Sequence, residues 1–415
     1  MTSERVVVTG LGLVTPLGTG VQKTWNALVS GTSGIAPITQ FDTTDFPVII
    51  AGEVKDFVTE EWYDPKEARK VDRFVHLAIS AAEQAVRDAG LKETPLPGEE
   101  VGVVIGSGIG GLSWIEKNRD IVRDKGPRRV SPFFIPGSIV NMPSGIVSIL
   151  HQFKGPNSAT CTACATGAHA LGDAYSFIKR GLARAMVSGG TESVICPLAL
   201  AGFASMRALS SRNEEPQRAS RPWDRDRDGF VIAEGAGVMI LESLTSANER
   251  GAKIYAEVIG TGMSGDAFHM AAPDASGDGA KRAMRAALQD AGISPEDVDY
   301  INAHGTSTPV GDIVEIQAVK EVFGSHADEL VMNSSKSMIG HTLGAAGGVE
   351  SAVTVLTLYH GLAHPTVNLE NPDEGCDLNL CREGSIQRDF RIGLNNSFGF
   401  GGTNACVLFR RWDGS

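Results

Sequence analysis

Ala85-Val-Arg-Asp-Ala-Gly-Leu91 recurs in the second half of the chain as Ala287-Leu-Gln-Asp-Ala-Gly-Ile293. Each copy is followed by an acidic turn and a short β-rich run, Val101-Gly-Val-Val-Ile105 in the first and Val298-Asp-Tyr-Ile-Asn302 in the second. A second pair lies further on: Ile178-Lys-Arg-Gly-Leu-Ala-Arg184 against Tyr359-His-Gly-Leu-Ala-His364, both at the end of a long helical pattern. The opening strand and turn, Val8-Thr-Gly-Leu-Gly12, has its counterpart in Ile259-Gly-Thr-Gly-Met263. Three matches in one order imply two copies of one unit. Ala68 to Ala89 has apolar residues at helical spacing and is closed by Gly90, so the pattern predicts a helix between strands Val6–Thr9 and Val101–Ile105. This alternation is that of an α/β fold with buried strands, and the two units are expected over residues 1–253 and 254–415.

Composition sets the outer limits. A chain of 415 residues with 42% apolar and 21% charged residues is globular, and its length exceeds one typical core. The N-terminus runs into Val6-Val-Val8 with no apolar secretory segment, and no transmembrane run appears, so a soluble cytoplasmic protein is expected. Six scattered cysteines fit a reducing compartment. Cys161 and Cys164 form a Cys-x-x-Cys without the second ligand pair that zinc needs, which leaves a redox pair as the weaker alternative. A net charge of −12 argues against nucleic acid as a partner. Basic residues still cluster, Lys66, Arg69, Lys70 and Arg73 in one stretch and Arg123, Lys125, Arg128 and Arg129 in another. They read equally as a solvated face and as a docking patch for an acidic partner.

The duplication locates the chemistry, because equivalent loops of two packed copies converge near a pseudo-twofold axis. Aligning the Gly-Leu-Ala landmarks sets Thr162-Ala-Cys-Ala-Thr-Gly-Ala168 opposite His341–Gly344, each just before a long helix. Cys164 is then expected at a helix N-terminus, where dipole and amides favour a thiolate nucleophile. A buried structural cysteine is the commoner role and suits Cys196 and Cys406; Cys161 is expected in the preceding strand or turn, pointing away from the helix mouth. His304, in Asn302-Ala-His-Gly-Thr-Ser-Thr-Pro309, follows the second copy's repeated strand, where open α/β sheets place ligands. His341 lies in Lys336-Ser-Met-Ile-Gly-His-Thr-Leu-Gly-Ala-Ala-Gly347. Alone, either histidine reads as a satisfied structural group. Together with Cys164, two neutral imidazoles could stabilise an enolate left by decarboxylation of a malonyl thioester. Asn395-Asn-Ser-Phe-Gly-Phe-Gly-Gly-Thr403 could supply half of an oxyanion hole, the other half being the Cys164 amide; otherwise it is a glycine-rich turn. Gly106-Ser-Gly-Ile-Gly-Gly111 matches a dinucleotide pattern but lacks its acidic residue on the following strand, so its glycines read as a site of close chain approach.

Thr162-Ala-Cys164, Asn302–Thr308, Lys336–His341 and Asn396–Asn404 together resemble the elongating β-ketoacyl-acyl-carrier-protein synthases of thiolase-like fold, over Val6 to about Phe409. Pro132–Pro136, Ser220–Phe230 and Asn371–Leu378 are closest to the bacterial synthase II branch. The resemblance implies duplicated α/β halves in five αβαβα layers and an acyltransferase working as a homodimer. Its substrates are acyl and malonyl groups carried on the phosphopantetheine of acyl carrier protein, with no other cofactor. By the same resemblance Cys164 takes the acyl group, His304 and His341 drive decarboxylation, Lys336 organises the site, and Phe400 gates it and lends its amide to the oxyanion hole. Ile109, Phe134 and Phe203 match acyl-pocket positions, Phe134 across the dimer interface, and Thr306 and Thr308 match those that bind the phosphopantetheine arm. Lys66, Arg69, Lys70, Arg128, Arg129 and Arg207 fit the surface that receives the acidic carrier. A structural cation in some members would fall at Asn302, Ala303, Glu350, Asn395 and Asn396, residues that would equally serve a hydrogen-bond network. Cys161 departs from the family, whose members more often carry a non-thiol residue there. A degradative thiolase would use a second cysteine as acid, and a starter synthase a Cys-His-Asn set; Gly340-His341 speaks against both. The remaining alternatives are a polyketide-type ketosynthase and a non-condensing acyl-carrier-binding subunit, the latter opposed by Cys164.

Overall fold

The computed structural model describes residues 4–414. Its first half supplies β1 (Val6–Thr15), α1 (Arg73–Asp88), β2 (Val101–Gly106), α2 (Met142–His151), β3 (Asn157–Ser158), α3 (Thr166–Lys179), β4 (Ala185–Glu192) and β5 (Gly235–Ser243). Its second half repeats the series as β6 (Ala256–Gly265), α4 (Asp278–Ala291), β7 (Tyr300–Asn302), α5 (Gly311–Phe323), β8 (Val331–Asn333), α6 (Ala346–His360), β9 (Ile392–Gly399) and β10 (Thr403–Arg411). The strands run β3-β2-β4-β5-β1 in one half and β8-β7-β9-β10-β6 in the other, the same order twice. The two sheets join where β1 and β6 pair antiparallel, Val6 opposite Val258 and Val8 opposite Ala256.

Alternation along the strands builds the layers. Val238 and Ile240 of β5 pack with α1, while Met239 and Leu241, one residue along, pack with α3 and α6. In β10, Cys406 and Leu408 face α4, and Val407 and Phe409 face the central helices. The result is five layers: α1 and α2, a sheet, α3 with α6, a sheet, and α4 with α5. At the centre the first turns of α3 and α6 touch. A Cβ on Gly167 would lie 2.4 Å from the Gly348 amide nitrogen, and one on Gly347 2.3 Å from that of Ala168, so only glycine allows this approach.

The structure corrects two expectations. The helix predicted over Ala68–Ala89 is a one-turn helix Pro65–Ala68 and then α1. Asp72 separates them, capping α1 by accepting from the Arg73 amide and holding the Trp114 amide at 2.8 Å. The opening match is real but its register is one residue earlier: Gly10 and Gly12 correspond to Gly260 and Gly262. A Cβ on Gly10 would meet the Ala85 carbonyl oxygen at 2.2 Å, and one on Gly260 that of Ala287 at 2.6 Å. Asp88 then accepts from the Leu11 amide at 2.9 Å just as Asp290 accepts from that of Thr261 at 3.0 Å. No described helix is long and apolar enough to cross a membrane.

Candidate active site

Cys164 sits in the helical turn Ala163–Ala165, which leads directly into α3. His341 ends the loop before the equivalent turn Leu343–Ala345, which leads into α6. Ala163 and Leu343 hold the left-handed conformation, φ 50° and 49°, unfavourable for side chains with a Cβ and therefore fixed by the surrounding packing. His304 follows β7, its amide held at 2.8 Å by the buried Glu315 carboxylate. All three line one cavity of about 530 Å³. The imidazoles meet edge to face with ring centres 5.4 Å apart, and Phe398 and Phe230 pack against them at 5.7 and 5.3 Å.

Electrostatics fix the resting protonation. Burial, with the Lys336 charge nearby, holds both histidines well below their ordinary pKa, so they are neutral near pH 7. The Leu343 amide donates to His341 Nδ1 at 3.3 Å, which leaves the ring proton on Nε2 as a donor for a ligand in the cavity. The expectation of a standing thiolate is not met. Burial pushes the Cys164 thiol up to about 12, against the pull of Lys336 and of the Phe400 amide, and the Glu192 and Glu350 carboxylates add to the rise. Desolvation in this apolar pocket outweighs the helix-terminal effect, so the resting group is the neutral thiol. Lys336 is buried and paired with Glu350, whose carboxyl burial pushes up to about 7 while Lys336 draws it down.

The glycine-rich turn after β2 reveals its role here. Its amides converge on an anion belonging to the chain itself: Glu192, at the end of β4, accepts from Gly108 at 2.8 Å and from Ile109 and Gly110 at 3.2 Å each. A nest of amides that elsewhere would cradle phosphate is filled by a carboxylate.

Residues 3–247 match the N-terminal domain of β-ketoacyl synthases and residues 255–370 their C-terminal domain. The chain belongs to the β-ketoacyl synthase family. It is 53% identical to 3-oxoacyl-[acyl-carrier-protein] synthase 2 of Coxiella burnetii, over 99% of both chains. It is 51% identical to the Synechocystis protein of the same name, over 99% of this chain and 98% of that one. Among solved structures, a type II polyketide ketosynthase complexed with its acyl-carrier protein and the ishigamide ketosynthase/chain length factor each superpose with a TM-score of 0.92. Each is 35% identical over 99% of this chain and 100% of the other. As a β-ketoacyl synthase the chain is a condensing acyltransferase of thiolase-like fold, whose chemistry needs no cofactor beyond the phosphopantetheine that carries the substrate.

The other residues expected from the sequence separate into two groups. Ile109, Phe203, Thr306, Thr308, Arg207 and Phe400 line the cavity with the central three, and the two threonine hydroxyls are 3.0 Å apart. Phe134 does not line the cavity of its own chain. Lys66, Arg69, Arg128 and Arg129 are exposed, while Lys70 pairs with Glu67 at 2.5 Å and lies over the Phe133 ring. Arg73 is no part of that surface, for it is bound to the buried Glu234 at 2.8 Å. Arg123 is paired with Asp124 at 2.7 Å. Cys161 is exposed, its thiol 3.4 Å from the Gly108 carbonyl oxygen, and outside the cavity lining. Sequence reasoning missed Glu192 and Glu315. Each is a single carboxylate among small or apolar neighbours, in Ser188-Gly-Gly-Thr-Glu192 and Ile313-Val-Glu-Ile316, a signal that could have marked them as buried and hydrogen-bonded.

Proposed function

We propose that this chain is the 3-oxoacyl-[acyl-carrier-protein] synthase of fatty-acid elongation. One observation carries the reading: a thiol and two neutral imidazoles from opposite halves line the same cavity, which Thr306, Thr308 and Arg207 also line. The Cys164 sulfur attacks the carbonyl of acyl-carrier thioester; a new S–C bond forms, the old one breaks, and the carrier thiol leaves with the proton. Malonyl-carrier then enters, its C–CO₂ bond breaks, and the electrons move onto the thioester as an enolate that His304 and His341 stabilise by donation. The enolate carbon attacks the acyl-cysteine carbonyl, forming a C–C bond while the C–S bond breaks, and the expelled Cys164 thiolate takes up a proton from solvent. The oxyanion of each tetrahedral intermediate is met by the amides of Cys164 and Phe400, one such donor contributing ~3 to 4 kcal/mol.

The same reading assigns the periphery. A second copy would cover the apolar face carrying Ile135, Ile139, Ile149 and Leu150, which are 41–66% exposed, and would place Phe134 in the partner's acyl channel. Lys66, Arg69, Lys70, Arg128, Arg129 and Arg207 receive the acidic carrier in the cytoplasm, and residues 1–253 and 254–415 are the two units. A structural cation also fits. Asn302 Oδ1, Asn395 Oδ1 and Glu350 Oε2 are buried without a hydrogen-bond partner among the described residues, and the two asparagines pair across β7 and β9. A hard cation would satisfy all three, with the Ala303 and Asn396 carbonyls, and offset buried charge. The Asn396 side chain is already engaged, donating to Glu315 at 3.1 Å and accepting from Cys406. A polyketide-type role draws on the structural neighbours at 35% identity, against 53% for the fatty-acid enzyme.

The test separates the two half-reactions. Cys164→Gln, with an amide in place of the acylated sulfur, is expected to lose condensation and still decarboxylate malonyl-carrier, and peptide mass spectrometry of the cerulenin-treated wild-type protein is expected to show Cys164 as the modified thiol. Modification of other cysteines with Cys164 untouched would sink the assignment.

A further inference from the structure

Glu192 holds two pieces of the site on one side chain. Its Oε1 accepts from the Ser107 hydroxyl at 2.6 Å and from the Ile109 and Gly110 amides at 3.2 Å each, fixing the turn whose Ile109 lines the acyl cavity. Its Oε2 accepts from Gly108 at 2.8 Å and, from the other half of the molecule, from the Gly344 amide at 3.0 Å. Gly344 is three residues beyond His341 and within the turn whose Leu343 amide fixes the His341 tautomer. The contact is tight: a Cβ on Gly344 would fall 2.2 Å from the Gly108 amide nitrogen and 2.7 Å from Glu192 Oε2. The carboxylate is wholly buried and makes all its hydrogen bonds to these two loops. Burial raises its pKa above the ordinary carboxylate value, against the opposing pull of the donors that converge on it.

We infer that Glu192 is a positioning residue that sets the wall of the acyl channel and the His341 loop from a single carboxylate, so that neither can shift without the other. The inference rests on the condensing role proposed above and adds to it a residue of the cavity wall that acts through the two loops it holds. An acyl chain pressing on Ile109 would act through the Ser107–Gly110 turn on Oε1, and through Oε2 on the loop that presents the decarboxylating imidazole. When ionised, the Glu192 carboxylate also adds to the upward push that burial exerts on the Cys164 thiol.

The isosteric Glu192→Gln variant turns an NH₂ group toward amides that need an acceptor. Its condensation kcat and the decarboxylation rate of the Glu192→Gln/Cys164→Gln double variant are expected to fall together, each by at least about tenfold, because both loops lose their register. Cys164 alkylation, followed by mass spectrometry across pH, is expected to shift to lower pH in Glu192→Gln. A residue that merely supported the fold would not produce that shift. Ser107→Ala, which removes one Oε1 donor and the hydroxyl that accepts from the Gly110 amide at 3.0 Å, both within the acyl-side turn, is expected to reduce kcat/KM for long acyl chains at least about three times more than it reduces decarboxylation. Wild-type rates and an unmoved alkylation profile in Glu192→Gln would overturn the inference, as would a loss matched by the fraction of unfolded protein in circular dichroism. Should the wild-type protein fail to condense, the proposed function falls, while the alkylation profile still reports on Glu192.

Discussion

The turns Ala163–Ala165 and Leu343–Ala345 are the same piece of backbone used for opposite ends. Both enter a central helix, both carry a left-handed residue at φ 50° and 49°, and both helices close on a glycine in the left-handed region, Gly181 and Gly361. The left-handed residues Ala163 and Leu343 and the closing glycines Gly181 and Gly361 stand at the same spacing in both copies, so that Cys164 aligns with Gly344 and Cys161 with His341. In one copy the middle position opens on the cavity and bears the thiol; in the other a Cβ would strike the Gly108 amide and the Glu192 carboxylate. Three residues earlier the contrast reverses, with the Cys161 thiol exposed outside the cavity and the His341 imidazole buried within it. Duplication supplies a symmetric frame, and chemistry arises where the copies depart from each other.

The comparison predicts unequal costs at equivalent positions. The largest concerns the outer pair: His341→Ala is expected to lower malonyl-carrier decarboxylation by ~10²–10³-fold, because the lost Nε2 donor acts on developing charge, whereas Cys161→Ser stays within about twofold. Because the imidazole works as a neutral donor held well below its usual 6.5, decarboxylation by Cys164→Gln is also expected to stay flat as pH falls from about 8 to 6.5. A steep loss over that interval would mean that the ring is charged in its working form. At the middle pair the asymmetry should appear in stability. Gly344→Ala overpacks a closed contact and is expected to cost ~1–3 kcal/mol in urea unfolding, while Cys164→Ala, facing a cavity, costs less. Equal costs would erase the distinction between the turns. The smallest effect tests the frame itself: Asp88→Ala and Asp290→Ala each remove the acceptor of an equivalent strand amide at about 1 kcal/mol, Asp88 costing more because it also accepts from the Tyr255 hydroxyl at 2.8 Å, and the two should add nearly independently.

Legibility followed the range of the interaction. Gly90 and Gly292 mark helix ends because a left-handed residue, φ 66° and 64°, is a local demand that glycine meets. Asp72, by contrast, ends one helix and begins the next by capping Arg73 and reaching Trp114, a partner remote in sequence, so the predicted helix ran too far. The register of Gly10 and Gly12 against Gly260 and Gly262 slipped by one in the sequence comparison because Thr-Gly and Gly-Thr alternate similarly in both strands. Only packing against Ala85 and Ala287 distinguishes the two registers, and a one-residue shift would turn every side chain to the wrong face.

Local pattern and repetition, read from the chain alone, determined that two like α/β units exist, that Cys164, His304 and His341 stand at their equivalent or strand-terminal loops, and which family the motifs resemble. The tertiary structure decided what those groups are when they meet. Burial of the thiol against Phe400 and Lys336, neutrality of both imidazoles, and the filling of the Gly108–Gly110 nest by Glu192 all depend on desolvation and on contacts between distant segments. Charge states follow from what surrounds a group in space, and a linear string of residues does not hold that information.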